Sequence, residues 1–272
     1  LGTPESLMAL TEADIQLWQE MIFQPQNACL VMTGNFSDGM ELAAIEALSE
    51  LRNTTAQPPF TQSLPIGFCM RDEQSDLLEE VESDFASVQL AFDVDSEQVY
   101  PVAAEVLSTI TAGNDDSMLF QALREEQALV AEIESQISRV GQFSRLVIRY
   151  DVRSEWLKDT LNKVFAYLHR LTMYVRPARL NQLRTQFTTN NAMLTDDTAA
   201  LNDRLGWAWM SGDTAQADLD AAAAQYNELT AEELLDAAQT VFRPENLTIA
   251  VQYDPETVGD LRPLLQKLRE TL

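Results

Sequence analysis

The sequence is poor in the residues that bind nucleic acids and metals. Its 272 residues include one histidine and two cysteines, and only three of its 18 basic residues are lysines. With 43 acidic residues, the formal net charge is −25. Because a uniformly negative surface repels phosphate backbones, we predict that the chain does not bind nucleic acid. A soluble, self-repelling surface is the simpler interpretation of this charge, and attraction of basic peptides is the more specific one.

Long apolar runs and a recognisable export signal are also missing. No stretch is long enough to cross a bilayer as a helix, so we predict no membrane span. The chain begins with Leu1 and not with Met, which leads us to expect a cut or processed start that a targeting signal could have preceded. The low cysteine content favours the cytoplasm and leaves export open. Cys29 and Cys69 lie in apolar stretches, which predicts two buried free thiols, with a disulfide as the alternative.

The hydrophobic pattern predicts an α+β fold. Along 87–94, apolar Val88, Leu90, Phe92 and Val94 alternate with more polar residues, as in a strand with one covered face. Such strands come first, a long helical region at 154–242 follows, and a strand returns at 247–253 before a helix that opens at Pro255. This order favours an antiparallel or mixed sheet covered by helices. The other predicted strands are 28–33, 129–137 and 146–152, and the other predicted helices are 11–23, 38–51, 97–110 and 117–128.

Two distant segments of the chain match each other without a gap. Residues 10–27 align with residues 229–246 at an offset of 219, and both read as a capped helix, a Pro-x-Asn stop and an apolar strand. Similar caps and stops do arise by chance, but their agreement in order and length favours a duplication. We therefore predict three parts: a remnant of a first repeat at 1–52, a linker at 53–66 and a complete second repeat at 67–272. The rest of the first repeat is expected upstream.

Several motifs carry a family resemblance. The N-terminal part of the chain resembles the close of a subdomain in the insulinase/pitrilysin/mitochondrial-processing-peptidase family. The resemblance lies in Gly2–Leu7, in Leu10–Asp14 and in the Pro-x-Asn that follows. The Gly113–Ser117 turn, which leads into Met118–Glu126, is similar to that family's second-subdomain signature, and 229–246 is similar to its closing segment. The resemblance covers most of the chain and implies a processing-peptidase-like, metallohydrolase-type subdomain.

The resemblance also implies that the chemistry lies outside this chain. Family members are zinc metallopeptidases with an H-x-x-E-H helix, which this sequence lacks. A zinc hydrolase site needs three protein ligands, and His169 has no partner histidine. We interpret His169 as a surface or boundary residue on a helix whose apolar stripe runs from Leu157 to Leu171. We predict no catalytic residue, no metal ligand and no cofactor in this chain, with zinc expected in the full-length protein.

One substrate contact of the family can be followed onto this sequence. The resemblance places a substrate-holding Arg at Arg124 and the accompanying Tyr at position 131, which is Ala131 here. Residues Ala128–Val130 replace the usual Gly-Leu-Ala before it. A methyl group cannot donate the hydrogen bond of a phenol. Arg124 is therefore a candidate substrate-binding residue, and a solvated helix arginine paired with Glu125, Glu126 or another nearby carboxylate is the alternative.

These observations support competing functions. The first is a non-catalytic, peptide-enclosing subdomain of a zinc-dependent metalloendopeptidase, which would act with the other half of the peptidase in cis or in trans. The second is a structural or partner half that is homologous to the peptidase but lacks catalysis. An unrelated α+β binding module would require the repeat to be coincidental. Trp207, Trp209 and Met210 form an aromatic patch that we expect in a core or domain interface, with peptide contact as the alternative.

Overall fold

The chain forms two compact units. The computed structural model describes residues 3–49, 76–140, 143–211 and 218–272. Unit 1 comprises Leu1–Pro65 and Thr189–Ala222, and unit 2 comprises Ile66–Thr188 and Ala223–Leu272. The helices are α1 Pro4–Met8, α2 Glu12–Ile22, α3 Asp38–Ser49, α4 Pro101–Ala112, α5 Leu157–Met173, α6 Pro177–Met193, α7 Thr198–Ser211, α8 Leu219–Glu228, α9 Ala231–Val241, α10 Pro255–Val258 and α11 Arg262–Arg269. A π-helix spans Phe120–Glu125, and 3-10 turns span Pro25–Asn27, Ser154–Trp156, Leu194–Asp196 and Pro244–Asn246.

Unit 2 is built on a mixed five-stranded sheet. The strands are β1 Asp76–Glu80, β2 Phe85–Asp95, β3 Val130–Val140, β4 Phe143–Arg153 and β5 Leu247–Tyr253. Their order across the sheet is β1-β5-β2-β4-β3. The β1–β5 pair is parallel and the other three pairs are antiparallel. The late strand β5 therefore pairs with both early strands, which confirms the predicted α+β fold with a mixed sheet.

One face of the sheet carries the core of unit 2. Helices α4 and α9 contact the sheet and each other, and α5 packs against α9 and β4. Along β2, the alternation seen in the sequence buries Val88, Leu90, Phe92 and Val94. The predicted stripe of α5 is buried in full, because its residues recur at the spacing of a single helix face. That stripe consists of Leu157, Leu161, Val164, Leu168 and Leu171.

Hydrogen-bonded caps set where the helices begin and end. Thr230 caps α9 in a box with Glu233, and Thr11 caps α2 in the same way with Asp14. Pro255 opens α10 in its first turn, and Gly259 ends that helix with φ +73°. The predicted final helix is therefore two short helices, because the chain at Gly259 takes a backbone conformation that side chains with a Cβ rarely adopt.

Three sequence predictions need correction. Residues 28–33 are not a strand, because a strand requires a backbone partner and their described hydrogen bonds are instead with α7: Asn202 Nδ2 donates to the Val31 carbonyl, and the Thr33 hydroxyl donates to the Thr198 carbonyl. Cys29 is consequently exposed and not buried, while Cys69 lies outside the described residues. The helix that begins near Ser117 ends at Glu125, not at Ala128, and its last turns are π-helical.

The predicted linker at 53–66 lies outside the described residues. Contact density groups 189–222 with the N-terminal residues, a grouping that sequence reasoning did not anticipate. The duplication and its limits at 1–52 and 67–272 stay a prediction.

Candidate functional site

The open face of the sheet forms a polar, concave surface of unit 2. Side chains that alternate with the core residues line a groove of about 490 Å³ across all five strands. Four exposed carboxylates line it, and Arg149 is the one basic side chain among its described lining residues. We call this surface the acidic sheet face; its charged residues are Glu79, Glu132, Glu134, Arg149 and Asp151.

Cross-strand hydrogen bonds hold the polar side chains of this face in place. Ser87 donates its hydroxyl to Asp151 Oδ1 at 2.5 Å, and Arg149 Nε donates to Gln89 Oε1 at 3.0 Å. Both pairs are directly opposite in the β2–β4 register. Arg149 also lies 4.0 Å from Glu134, a distance that gives only weak pairing between exposed groups. Because one guanidinium faces four carboxylates, the face keeps a net negative charge.

A β-bulge shapes the end of this face on β3. The β3–β4 register shifts by one residue between Val130 and Ile133, so Ala131 and Glu132 share the bulge. Such a bulge re-aims side chains and strengthens the local twist. Both residues are exposed. Ala131, the position where the resemblance implies a tyrosine, therefore presents a methyl group at an irregular point of the strand.

The backbone just before β3 adopts a conformation that favours glycine. Ala128 has φ +51° and is the only non-glycine residue with positive φ among those described. Its amide donates to the Arg124 carbonyl at 3.0 Å, and the amide of Leu129 donates to the Leu123 carbonyl at 2.8 Å. These bonds close the π-helix with a left-handed residue, the position that glycine usually takes. The glycine expected here from the family resemblance thus has a physical reason, and alanine strains this turn.

Arg124 is exposed but does not line the acidic sheet face. Its guanidinium lies 4.8 Å from the centre of the Phe120 ring and 3.9 Å from the Glu125 carboxylate. Both side chains of that ion pair are about half exposed, so the pair itself contributes little. The ring contact holds the arginine over its own helix and leaves it accessible to a ligand. Arg124 therefore lies near Glu125, one of the partners expected of a solvated helix arginine. It lies outside the groove of the acidic sheet face.

The remaining sequence candidates have clear positions. His169 is exposed on α5, which confirms the expected surface placement. Trp207 and Trp209 are 74% and 71% exposed on α7, so neither lies in a core, and a domain interface or a peptide contact stays a prediction for them. The hydroxyl of Tyr150, beneath the groove, is buried without a described partner, and burial raises its pKa, so the phenol stays neutral.

The part of the chain that the structure describes shows neither a metal-binding cluster nor a helix that could span a membrane. No three or more His, Cys, Asp and Glu side chains are grouped so as to hold an ion there. Among the same residues, no helix combines the length and apolar character that a bilayer crossing requires.

Comparison with known proteins gives the family of the chain. The model of the peptidase M16 inactive domain matches residues 9–187. A protease from Helicobacter pylori has a similar structure, with a TM-score of 0.79 at 15% identity, over 93% of this chain and 61% of that one. The peptidase M16 inactive domain from Pseudomonas fluorescens has a TM-score of 0.75 at 17% identity, over 93% and 60% of the two chains.

A third similar structure is the first half of the periplasmic protease PqqL from Escherichia coli, with a TM-score of 0.69 at 15% identity, over 99% and 61% of the two chains. This chain thus spans about 60% of the length of each of these three structures. No curated protein sequence matches it. The match over most of the chain confirms the insulinase/pitrilysin resemblance. The chain belongs to the family of the peptidase M16 inactive domain and is a non-catalytic, peptidase-like subdomain.

Proposed function

We propose that this chain is the peptide-enclosing subdomain of a zinc-dependent metalloendopeptidase, with the zinc site in polypeptide outside it. In this proposal the acidic sheet face is the surface turned toward the substrate, and basic segments of an unfolded peptide are the preferred ligands. The observation that carries the proposal is the charge of that face, where four carboxylates stand against one guanidinium. Peptide carbonyls and amides can also pair with strand edges of such sheets.

Electrostatics sets the expected strength of this interaction. Each exposed ion pair contributes about 0.2–1 kcal/mol, so two carboxylates together change a dissociation constant by about two- to thirtyfold. The attraction is screened over a Debye length of about 8 Å at physiological salt. Binding of a basic peptide should therefore be weak and should decline as salt is added.

The test uses a labelled, unstructured peptide rich in Arg and Lys and an acidic peptide of equal length. Fluorescence anisotropy should detect binding of the basic peptide only. Glu132→Gln with Glu134→Gln should weaken it within the expected range. Glu232→Gln with Asp236→Asn removes the same charge from the exposed side of α9 and should change binding much less. Equal loss in both double variants, or none in either, would show that the acidic sheet face is not the binding surface.

Arg124 is proposed as a second peptide contact. Its support is its exposure and the ring of Phe120, which restrains the guanidinium without occupying its hydrogen-bond donors. Because the guanidinium would donate to backbone carbonyls of the peptide, Arg124→Ala should weaken peptide binding and leave the free energy of unfolding within about 0.5 kcal/mol of wild type. Arg124→Lys retains the charge and should recover part of the binding. Unchanged affinity in both variants would favour the alternative, a solvated arginine paired with Glu125.

The competing function is a scaffold or partner half without catalysis. Ala131 favours it, because the position expected to donate a phenolic hydrogen bond carries a methyl group. The complete reading frame separates the two: an upstream H-x-x-E-H supports the peptidase, and its absence supports the scaffold. In either case the other half of the assembly, in cis or in trans, is the expected partner. The cytoplasmic placement stays a prediction that cell fractionation would test.

A further inference from the structure

Three arginines line one pocket of unit 2, in a chain whose formal net charge is −25. The pocket has a volume of about 410 Å³ and lies where three chain segments meet: the turn after α4, the end of α5 and the start of α6. Among its described lining residues, three positive charges stand against a single carboxylate. We name it the arginine pocket; its charged residues are Asp116, Arg170, Arg176 and Arg179.

The sequence places two of these arginines at neighbouring helix ends. Arg170 lies in the last turn of α5, and Arg176 directly precedes Pro177, the first residue of α6. Because a residue before proline is disfavoured in the helical conformation, α6 does not begin earlier. The link between the two helices is only Tyr174–Arg176, and its middle residue, Val175, is buried. This short, anchored link keeps both arginines beside the same pocket.

The third arginine is already held by its neighbours. Arg179 is half-buried, and its guanidinium donates to Gln182 Oε1 at 2.8 Å and to Asn114 Oδ1 at 3.2 Å. Asp116 Oδ2 lies 3.9 Å from the same guanidinium and accepts from Gln182 Nε2 at 3.4 Å. The one carboxylate of the pocket is therefore engaged with Arg179 and its partner.

The other two arginines keep their hydrogen-bond donors free. Arg170 and Arg176 are exposed, and no ion pair or hydrogen bond joins either side chain to another described residue. The amide of Ala178, in the first turn of α6, is also without an acceptor in the described part of the chain. The arginine before Pro177 has no side-chain oxygen to cap it. Guanidinium groups and helix N-terminal amides both bind anions, so a ligand of negative charge satisfies all three.

The floor of the arginine pocket is apolar. Ile110, Leu171 and Val175 are each at most 5% exposed, Met118 is half-buried, and the Tyr174 ring stands at the rim. A bare inorganic anion would leave this floor in water, whereas a carboxylate that carries an apolar group would cover it. The planar guanidinium also matches a carboxylate with two parallel hydrogen bonds. The volume lies within the range of about 300–1,000 Å³ that is usual for pockets of small ligands.

We propose that the arginine pocket binds a carboxylate joined to an apolar group, with the two free guanidiniums on the carboxylate and the buried floor against the apolar group. The C-terminal residue of a peptide and a small free carboxylic acid share this chemistry. The pocket has no lining residue in common with the acidic sheet face, and it selects the opposite charge. The site is therefore separate from the proposed function and does not depend on it.

NMR titration of the ¹⁵N-labelled protein tests the proposal. N-acetylphenylalanine should shift the amide signals of Met118, Val175 and Ala178 and should bind at least about tenfold more tightly than its neutral amide, because only the acid accepts charge-assisted hydrogen bonds. Equal binding of acid and amide, or shifts confined to residues outside the pocket, would overturn the proposal.

A second titration separates the two sources of the carboxylate. The probe is an uncharged hexapeptide that ends in phenylalanine, with a free or an amidated C-terminus. If the free-acid peptide binds at least about tenfold more tightly than N-acetylphenylalanine, the site is assigned to peptide C-termini, and a smaller advantage assigns it to small carboxylic acids. Either result supports the proposal, provided that amidation weakens binding. Unchanged affinity after amidation would contradict it.

Arginine variants place the ligand in the pocket. Arg170→Ala with Arg176→Ala should weaken binding of N-acetylphenylalanine by about tenfold or more. The matched control, Arg243→Ala with Arg262→Ala, removes the same charge from exposed sites outside the pocket and should stay within about twofold of wild type. Equal losses in the two double variants would show a general charge effect and overturn the proposal.

A single variant covers the case in which the double variant does not fold, which far-UV circular dichroism shows. Arg176→Glu reverses the charge at an exposed, unpaired position and should abolish measurable binding. Arg176→Lys keeps the charge without the planar fork and should retain part of the affinity. Unchanged affinity in Arg176→Glu would refute the proposal. None of these measurements uses a basic peptide, so the proposed function can fail separately.

Discussion

Arg269 holds the C-terminal helix of unit 2 to the sheet, and its removal tests that interpretation. Its side chain is 5% exposed near the end of α11. The guanidinium donates to the carbonyl of Leu247 at 2.8 Å, to that of Pro244 at 3.4 Å, and to the carboxylate of Asp76. A single side chain thus joins α11 to β5 and β1. We predict that Arg269→Ala strongly destabilises unit 2.

The expected loss of stability follows from the groups that Arg269→Ala leaves without a partner. Breaking a buried ion pair by removing one partner typically costs about 3–5 kcal/mol, because the other charge stays unpaired. Asp76 is 28% exposed, so water can solvate its carboxylate after the change. The carbonyl of Leu247 also loses its donor, which costs about 1 kcal/mol. We therefore expect Arg269→Ala to lower the free energy of unfolding by about 2–4 kcal/mol, less than for a fully buried ion pair.

The assay is urea unfolding followed by far-UV circular dichroism. Tryptophan fluorescence helps to separate the units, because Trp18, Trp207 and Trp209 lie in unit 1 and only Trp156 lies in unit 2. The matched control is Arg262→Ala, which removes the same charge from the same helix at a site 69% exposed. It should change stability by no more than about 0.5 kcal/mol.

A double-mutant cycle isolates the ion pair itself. Asp76→Asn should destabilise the protein less when Arg269 is already alanine, with a coupling energy of about 1–3 kcal/mol. Equal effects of Arg269→Ala and Arg262→Ala would refute the inference that burial makes Arg269 important. Additive effects of Arg269→Ala and Asp76→Asn would show that the carboxylate is not its partner.

Further predictions concern the turn before β3, the cap of α9 and zinc. Ala128→Gly should stabilise the protein by about 0.5–1 kcal/mol in urea unfolding, because it relieves a left-handed alanine, and a loss of stability would contradict this. Thr230→Ala should cost about 1 kcal/mol through the lost cap, and a neutral result would show that the cap is dispensable. Hydrogen bonds from the Thr230 backbone and hydroxyl lower the pKa of Glu233, so its stabilising contribution is present above its ordinary pKa and is lost as the pH falls through the lowered one. The stability difference between wild type and Glu233→Gln should therefore shrink on acidification, and a difference that grows would have the wrong sign. Metal analysis of the purified chain should find no stoichiometric zinc, and peptide cleavage that a chelator abolishes would contradict the predicted lack of catalysis.

Local signals predicted most elements of this fold. The alternation along 87–94 indicated both the strand β2 and its covered face, because side chains on a strand point to opposite sides in turn. Thr230 with Glu233 predicted the start of α9, since that pair satisfies backbone donors at the helix end. The wrong predictions for residues 28–33 and for Cys29 belong together. Residues 28–33 have the composition of a strand, but a strand forms only where a partner backbone is present. Among the described residues no strand pairs with 28–33, and Cys29 within it is exposed.

The candidate site was only partly visible in the sequence. The polar positions of β2 predicted an open face, but the pairing of Arg149 with Gln89 and of Ser87 with Asp151 depends on register. Register is a property of two strands, and these lie about 60 residues apart. Arg269 was missed altogether, because an arginine near a helix end usually lies in solvent. Only the packed structure shows its buried carbonyl partners.

The sequence by itself determined the family and the α+β fold, because capping residues, apolar periodicity and motif order are local properties of the chain. The tertiary structure decided which of two similarly patterned segments is buried, as Phe23 and Phe242 illustrate. It also decided that the carboxylates of separate strands gather on one face and that Arg269 lies inside the protein. Burial and electrostatic environment depend on neighbours that are remote in sequence, and those neighbours become known only when the chain is folded.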